Sequence, residues 1–342
     1  MKTFLLDNDF ILESGEVISS PVFAYHTFGK LNKDKSNVVW VCHAFTANSD
    51  VFSWWDGLFG NNCLFNPGEH FIVCANILGS CYGTTGPLSI NPQSNRPYYH
   101  TFPNITIRDL VNAHIILKRH LGINNINTLI GGSMGGQQAL EWAIIEPNNI
   151  QNLLLIATNV RHSPWGIAFN EAQRMAIKAD GSITEESEKA GIAGMKAARA
   201  IAMMSYRNYL TFSQTQNDQE GRNLVLPKAA AYQQYQGEKL ATRFNAFSYI
   251  TLSKTMDSHD ITRNRANPAE VLTAIKANTL IMSISNDILF PPEEQLLLAQ
   301  LIPNATYKSI NSIYGHDGFL IETAAITKEI LAFKQSILQT FI

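Results

Sequence analysis

Residues 127–143, NTLIGGSMGGQQALEWA, constrain this chain more than any other segment. A β-prone apolar stretch runs directly into Gly-x-Ser-x-Gly, and a segment with apolar residues at helical spacing follows until Pro147 stops it. The pattern predicts a strand, a sharp turn and a helix, with Ser133 on the turn. A serine held there carries strained backbone angles, and neighbours without side chains let strand and helix pack closely. Ser133 then projects from the end of a sheet, and the Met134 N–H at the helix start is aimed where an oxyanion would develop.

A serine hydroxyl is a poor nucleophile until an imidazole takes its proton, and the imidazole needs a carboxylate to fix its tautomer. Both are present downstream in the order serine, acid, histidine. Residues 279–284 read as a buried strand, and the loop after it holds Asp287 ahead of Pro291 and Pro292. Residues 305–310 read as another short strand, followed by His316 in a loop bracketed by Gly315 and Gly318. Alone, Asp287 could equally be a turn or cap residue and His316 a packed or surface histidine; their order and their places after strands select them as acid and base. A second oxyanion donor should come from a loop after an earlier strand. The run Val38, Val39, Trp40, Val41, Cys42 suits a parallel sheet buried on both faces and leads to Phe45, whose N–H is the candidate. The Phe45 side chain is either a pocket wall or core. His43 reads as packed beneath that loop rather than as a second base.

The chain first alternates strands and helices, with a small antiparallel start at residues 10–12 and 20–24, core strands at 38–42, 71–75 and 153–157, and a helix over 107–121. From about residue 164 to 260 it is rich in Ala, Met, Gln and Tyr at helical spacing, with no buried strand pattern and a polar stretch over 213–223. The expected organisation is therefore an α/β core formed by residues 1–163 and 261–342, mostly parallel with helices on both faces, and a helical lid inserted at 164–260. A formal net charge of −2 offers no basic footprint for nucleic acid or anionic membrane. The first ten residues carry Lys2, Asp7 and Asp9 without a long apolar run, so neither a secretory signal nor a membrane helix is expected, and the cytoplasm is the default. Cys42 and Cys74 sit in apolar runs, and Cys63 and Cys81 lie too far apart for a C-x-x-C zinc pair, which predicts reduced thiols and no metal.

Several blocks also carry a resemblance: Leu12 to Gly15, Ala24-Tyr25-His26-Thr27-Phe28-Gly29, Cys42-His43-Ala44, residues 76–87, residues 102–109, the GGSMGG turn, Phe247-Ser248-Tyr249, residues 256–260 and residues 315–320. Together, from about Phe10 to about Phe333, they resemble the homoserine O-acetyltransferase family of MetX-type acyltransferases in methionine biosynthesis. The resemblance implies an α/β-hydrolase fold with a helical lid, a homodimer, and acyl transfer from acetyl-CoA to L-homoserine, both substrates, with no cofactor. It implies Ser133 as the acylated nucleophile, His316 as base and Asp287 as its orienting acid. It further implies that Arg199 pairs with the acceptor's carboxylate, with Tyr206 further along the same segment, and that Asp317 binds the acceptor's ammonium; opposite charges fix a zwitterion's orientation. The chain departs from the family at Phe45, where leucine is usual, at Ala47-Asn48, and over residues 94–100, near the expected mouth of the acyl pocket. A succinyl donor, or serine as acceptor, therefore stays open. The same triad could also hydrolyse esters as a lidded carboxylesterase with water as acceptor.

Overall fold

The structure, a computed structural model, describes residues 1–218 and 225–340. The latter part of the polar stretch at 213–223 thus lies outside the described residues. Eight strands form one sheet: β1 (Lys2–Leu5), β2 (Val22–Phe28), β3 (Val38–Cys42), β4 (Phe71–Ala75), β5 (Ile126–Gly132), β6 (Ile150–Ile156), β7 (Asn278–Ile284) and β8 (Thr306–Ile310). Their order is β1-β2-β4-β3-β5-β6-β7-β8; β1 and β2 run antiparallel to their neighbours, and the rest is parallel. Two-residue ribbons, Phe10–Ile11 with Val17–Ile18 and Ile90–Asn91 with Arg96–Pro97, lie apart from the sheet. The expected antiparallel start is present but paired otherwise: residues 10–11 pair with 17–18 apart from the sheet, and β2 pairs with β1. β2 continues to Phe28 through Tyr25, His26 and Thr27, and β1 adds an edge strand whose largely exposed residues leave no apolar run to read.

Alternation along β3 builds both faces of the core. Trp40 packs with Val111 and Leu117 of α1 (Ile107–His120) and with Trp142 of α2 (Met134–Ile145). Val39 and Val41 point the other way, towards Trp55 and the inner face of a C-terminal helix that carries Ile326 and Ile330. Such two-sided burial explains why the central strands are apolar throughout rather than alternating. α1 starts where a capping box forces it to: the Thr106 side chain accepts the Asp109 N–H, and the Asp109 carboxylate accepts the Thr106 N–H at 2.8 Å.

After β6 come α3 (Pro164–Lys178), α4 (Ile192–Tyr206), α5 (Tyr209–Thr215), α6 (Lys228–Ala241) and α7 (Ala246–Asp257). Among the described residues between β6 and β7 no strand joins the sheet. The chain leaves and returns at adjacent points: His162 N–H donates to the His259 carbonyl at 2.9 Å, Ile261 N–H to the Val160 carbonyl at 3.2 Å, and Arg161 pairs with Asp260 at 2.8 Å. These helices lie over the carboxyl ends of the strands, packing Met195, Ala198, Phe247 and Tyr249 against Phe45 and Met134. No helix among the described residues is long and apolar enough to cross a membrane.

Candidate active site

Ser133 sits between β5 and α2 with φ 56° and ψ −129°, a left-handed φ that a non-glycine residue adopts only under constraint. Its neighbours show the constraint. A Cβ on Gly131 would lie 2.1 Å from the Gly135 carbonyl oxygen, and one on Gly135 would lie 2.1 Å from the Cys42 carbonyl oxygen. The turn exists because those two positions have no side chain. It is anchored by Ser133 N–H donating to the Ile156 carbonyl at 3.0 Å.

The three residues selected from widely separated loops stand together. Ser133 Oγ lies 2.8 Å from His316 Nε2, and His316 Nδ1 lies 2.6 Å from Asp287 Oδ2. A carboxylate only accepts, so Nδ1 carries the proton and Nε2 is left to accept the serine's. The other Asp287 oxygen accepts the N–H groups of Leu289 and Phe290 at 2.8 and 2.9 Å, fixing the carboxylate on its loop. Rings of Phe290, Phe319 and Tyr206, with centroids 5.1, 5.3 and 5.9 Å from the imidazole, hold it in place. All three triad side chains are buried, yet Ser133 and His316 open onto a cavity of about 380 Å³.

Phe45 and Met134, the candidate oxyanion donors, flank the serine: Phe45 lines the cavity and Met134 begins α2. Among the described residues neither backbone N–H has an acceptor. The Phe45 ring meets Tyr249 edge-on at 4.8 Å, so its side chain is both pocket wall and core. Thus the hydroxyl and its base meet at the cavity, with an unengaged N–H at Phe45 in its lining and another at Met134, next to the serine in the chain.

Arg199, Tyr206 and Asp317 also line the cavity. Arg199 forms no ion pair or hydrogen bond among the described residues; its Nε is buried without a partner, and its guanidinium lies over the Tyr206 ring, 5.3 Å from the centroid. Burial pushes the Tyr206 hydroxyl up to about 12, so it stays a neutral phenol. Asp317 is already engaged: its Oδ2 lies 2.9 Å from Arg207 Nε, although that contact lacks hydrogen-bond geometry. Burial raises the Asp317 carboxyl, while Arg207 and Arg199 pull it back down. The sequence singled out neither Arg207 nor the two further cations on the cavity wall, Lys239 and Arg243. The last two lie four residues apart around the end of α6, a spacing that reads as ordinary helix surface. Arg243 is tied down by the Thr46 carbonyl at 2.6 Å and by the Tyr82 hydroxyl.

Comparisons with known proteins bear on the fold and the family. Residues 37–323 match the alpha/beta hydrolase fold family. A homoserine O-acetyltransferase of Cyclobacterium marinum is 49% identical over 311 residues, covering 91% of this chain and 88% of the relative. The crystal structure of a homoserine O-acetyltransferase from Bacillus anthracis superposes with a TM-score of 0.89 at 24% identity, covering 97% of this chain and 96% of that one. Esterase E22 superposes at 0.88 with 22% identity, over 97% of this chain and 98% of its own. At those identities the two structures speak for the fold alone, whereas the Cyclobacterium relative matches nearly half of the residues across most of both chains. The chain therefore belongs to the homoserine O-acetyltransferase family, built on the α/β-hydrolase fold.

Proposed function

We propose that this protein transfers the acetyl group of acetyl-CoA to the hydroxyl of L-homoserine by a ping-pong route through an acetyl ester on Ser133, a step of methionine biosynthesis. The observation that carries the proposal is the pairing of two features in one cavity: a serine bonded to its base, and a half-buried arginine that forms no ion pair or hydrogen bond among the described residues. An esterase has use only for the first. An unpaired guanidinium beside the nucleophile suits an acceptor that brings its own carboxylate.

In the first half-reaction the Ser133 proton passes to His316 Nε2 as Oγ attacks the thioester carbonyl. The Phe45 and Met134 N–H groups hold the oxyanion, and the imidazolium returns the proton to the departing thiolate. Lys239 and Arg243 on the cavity wall suit the phosphates of the donor. Homoserine then enters with its carboxylate at Arg199 beside Tyr206 and its ammonium at Asp317. His316 takes the acceptor's hydroxyl proton, the alkoxide attacks the acetyl ester, and the proton goes back to Ser133 as the product forms. The helices α3–α7, residues 164–260 taken with their connections, act as a lid that keeps water from the ester. No metal or cofactor is needed. Exposed Met204, Tyr209, Leu210 and Tyr235 on the lid suit a homodimer, and we place the enzyme in the cytoplasm.

Thiol release from acetyl-CoA, followed with homoserine, with serine and with buffer alone, tests the proposal. Homoserine should accelerate release far more than serine, and acetyl-CoA should outrun succinyl-CoA. Release indifferent to any amino acid would leave the esterase.

A further inference from the structure

The peptide joining Ala44 to Phe45 has the Phe45 N–H on one side and the Ala44 carbonyl on the other. Because a trans peptide is planar, whatever fixes the carbonyl also aims the N–H. The side chain that fixes it is the preceding residue's own imidazole: His43 Nδ1 lies 2.9 Å from the Ala44 oxygen, and His43 Nε2 lies 3.2 Å from the Ile77 nitrogen. An amide nitrogen only donates, so Nε2 accepts and Nδ1 carries the proton that the Ala44 carbonyl receives. His43 is fully buried, and burial brings it down to about 4, so it remains neutral in that tautomer.

A second tether joins this loop to the nucleophile's helix. Gln138 Nε2 lies 3.2 Å from the His43 carbonyl oxygen and 3.1 Å from that of Met134, while its Oε1 lies 3.0 Å from His114 Nε2. The amide nitrogen donates to both carbonyls, so Oε1 accepts from His114, whose ring is stacked on Trp142 with centroids 5.5 Å apart. Every member of this chain of bonds is buried.

We propose that His43, Gln138 and His114 form a brace that aims the Phe45 N–H and ties its loop to the first turn of the nucleophile's helix, making His43 and Gln138 positioning residues for oxyanion stabilisation. The proposal rests on the acyl-transfer reading of Ser133, but p-nitrophenyl acetate hydrolysis probes the brace without needing that acceptor. His43→Leu should lower kcat for this ester about 10- to 100-fold with KM little changed, since full loss of one oxyanion donor costs about 100- to 1,000-fold. Affinity for an alkylboronic acid, which adds to Ser133 as a tetrahedral anion, should fall by the same factor. His43→Asn, which keeps a donor near the Nδ1 position, should recover most of both, and Gln138→Leu should repeat the loss. In the unaltered protein, 15N NMR should find the His43 proton on Nδ1 at neutral pH, a readout that holds even if a variant fails to fold. A proton on Nε2, or a His43→Leu protein that keeps its kcat and boronate affinity, would overturn the brace. Normal ester kinetics with no transfer to homoserine would instead overturn the functional reading and leave the brace standing.

Discussion

Replacing Arg199 by methionine separates recognition from structure, because among the described residues the arginine forms no ion pair or hydrogen bond to lose. Beside its electrostatic pull on Asp317, Arg199 makes a contact with the Tyr206 ring, worth about 0.5–1 kcal/mol, and leaves a buried Nε–H unsatisfied, which costs about 1–3 kcal/mol. The second is at least as large as the first, and methionine is a good helix former in the middle of α4. Arg199→Met should therefore leave the urea midpoint unchanged or raise it. In catalysis the loss falls on the acceptor: two charge-assisted hydrogen bonds to a carboxylate contribute about 2–4 kcal/mol, so kcat/KM for homoserine should fall about 30- to 1,000-fold. Formation of the acetyl-enzyme, read as the burst of thiol release from acetyl-CoA in stopped flow, should change less than about threefold. A burst reduced as much as turnover, or a loss of more than about 2 kcal/mol in stability, would show that Arg199 serves the fold or the donor and refute the reasoning.

Other consequences concern the triad, the turn and acid stability. Asp287→Asn should lower kcat about 1,000- to 10,000-fold with a near-normal KM, because the amide no longer selects the tautomer with the proton on Nδ1; a kcat within about tenfold of normal would remove Asp287 from the triad. Gly135→Ala places a Cβ against the Cys42 carbonyl oxygen, a backbone atom that cannot step aside, and should cost more than about 3 kcal/mol in chemical unfolding; a soluble variant of unchanged midpoint would contradict the packing of the turn. Burial lowers His43, His114 and His259 to about 4 and His162 to about 3. Above the ordinary value of 6.5 these rings are neutral in both states and stability does not depend on them. As the pH falls below 6.5 the unfolded chain takes up protons that the folded one does not, so stability should drop steadily towards about pH 4, by about 3 kcal/mol per histidine. Urea midpoints that stay flat between about pH 7 and pH 5 would contradict this burial.

Ser133 was legible in the sequence because its turn depends on contacts that only glycine at Gly131 and Gly135 permits, and such a requirement leaves its mark in a short window. Asp287 and His316 were legible because each follows a strand-like apolar run, and the carboxyl ends of parallel strands share one edge of the sheet. β1 was not, since an edge strand with mostly exposed residues has no apolar pattern. Arg207 was not legible either. Its meeting with Asp317 is made by two loops far apart in the chain, and nothing local to either residue signals it. Lys239 and Arg243 look like solvated helix surface until folding turns them towards the cavity. His43 read as packing beneath the oxyanion loop, but which of its nitrogens donates, and to which carbonyl, is settled only by Ile77 arriving from beyond β4.

The central claim is an acetyl ester on Ser133 that an amino acid discharges. Rapid mixing with acetyl-CoA, acid quenching and peptide mass spectrometry should find one added acetyl group, on the peptide containing Ser133. Homoserine added before the quench should remove it and yield O-acetylhomoserine in equal amount. Thiol released with no acetyl on Ser133, or an adduct that homoserine does not clear faster than water does, would contradict the account.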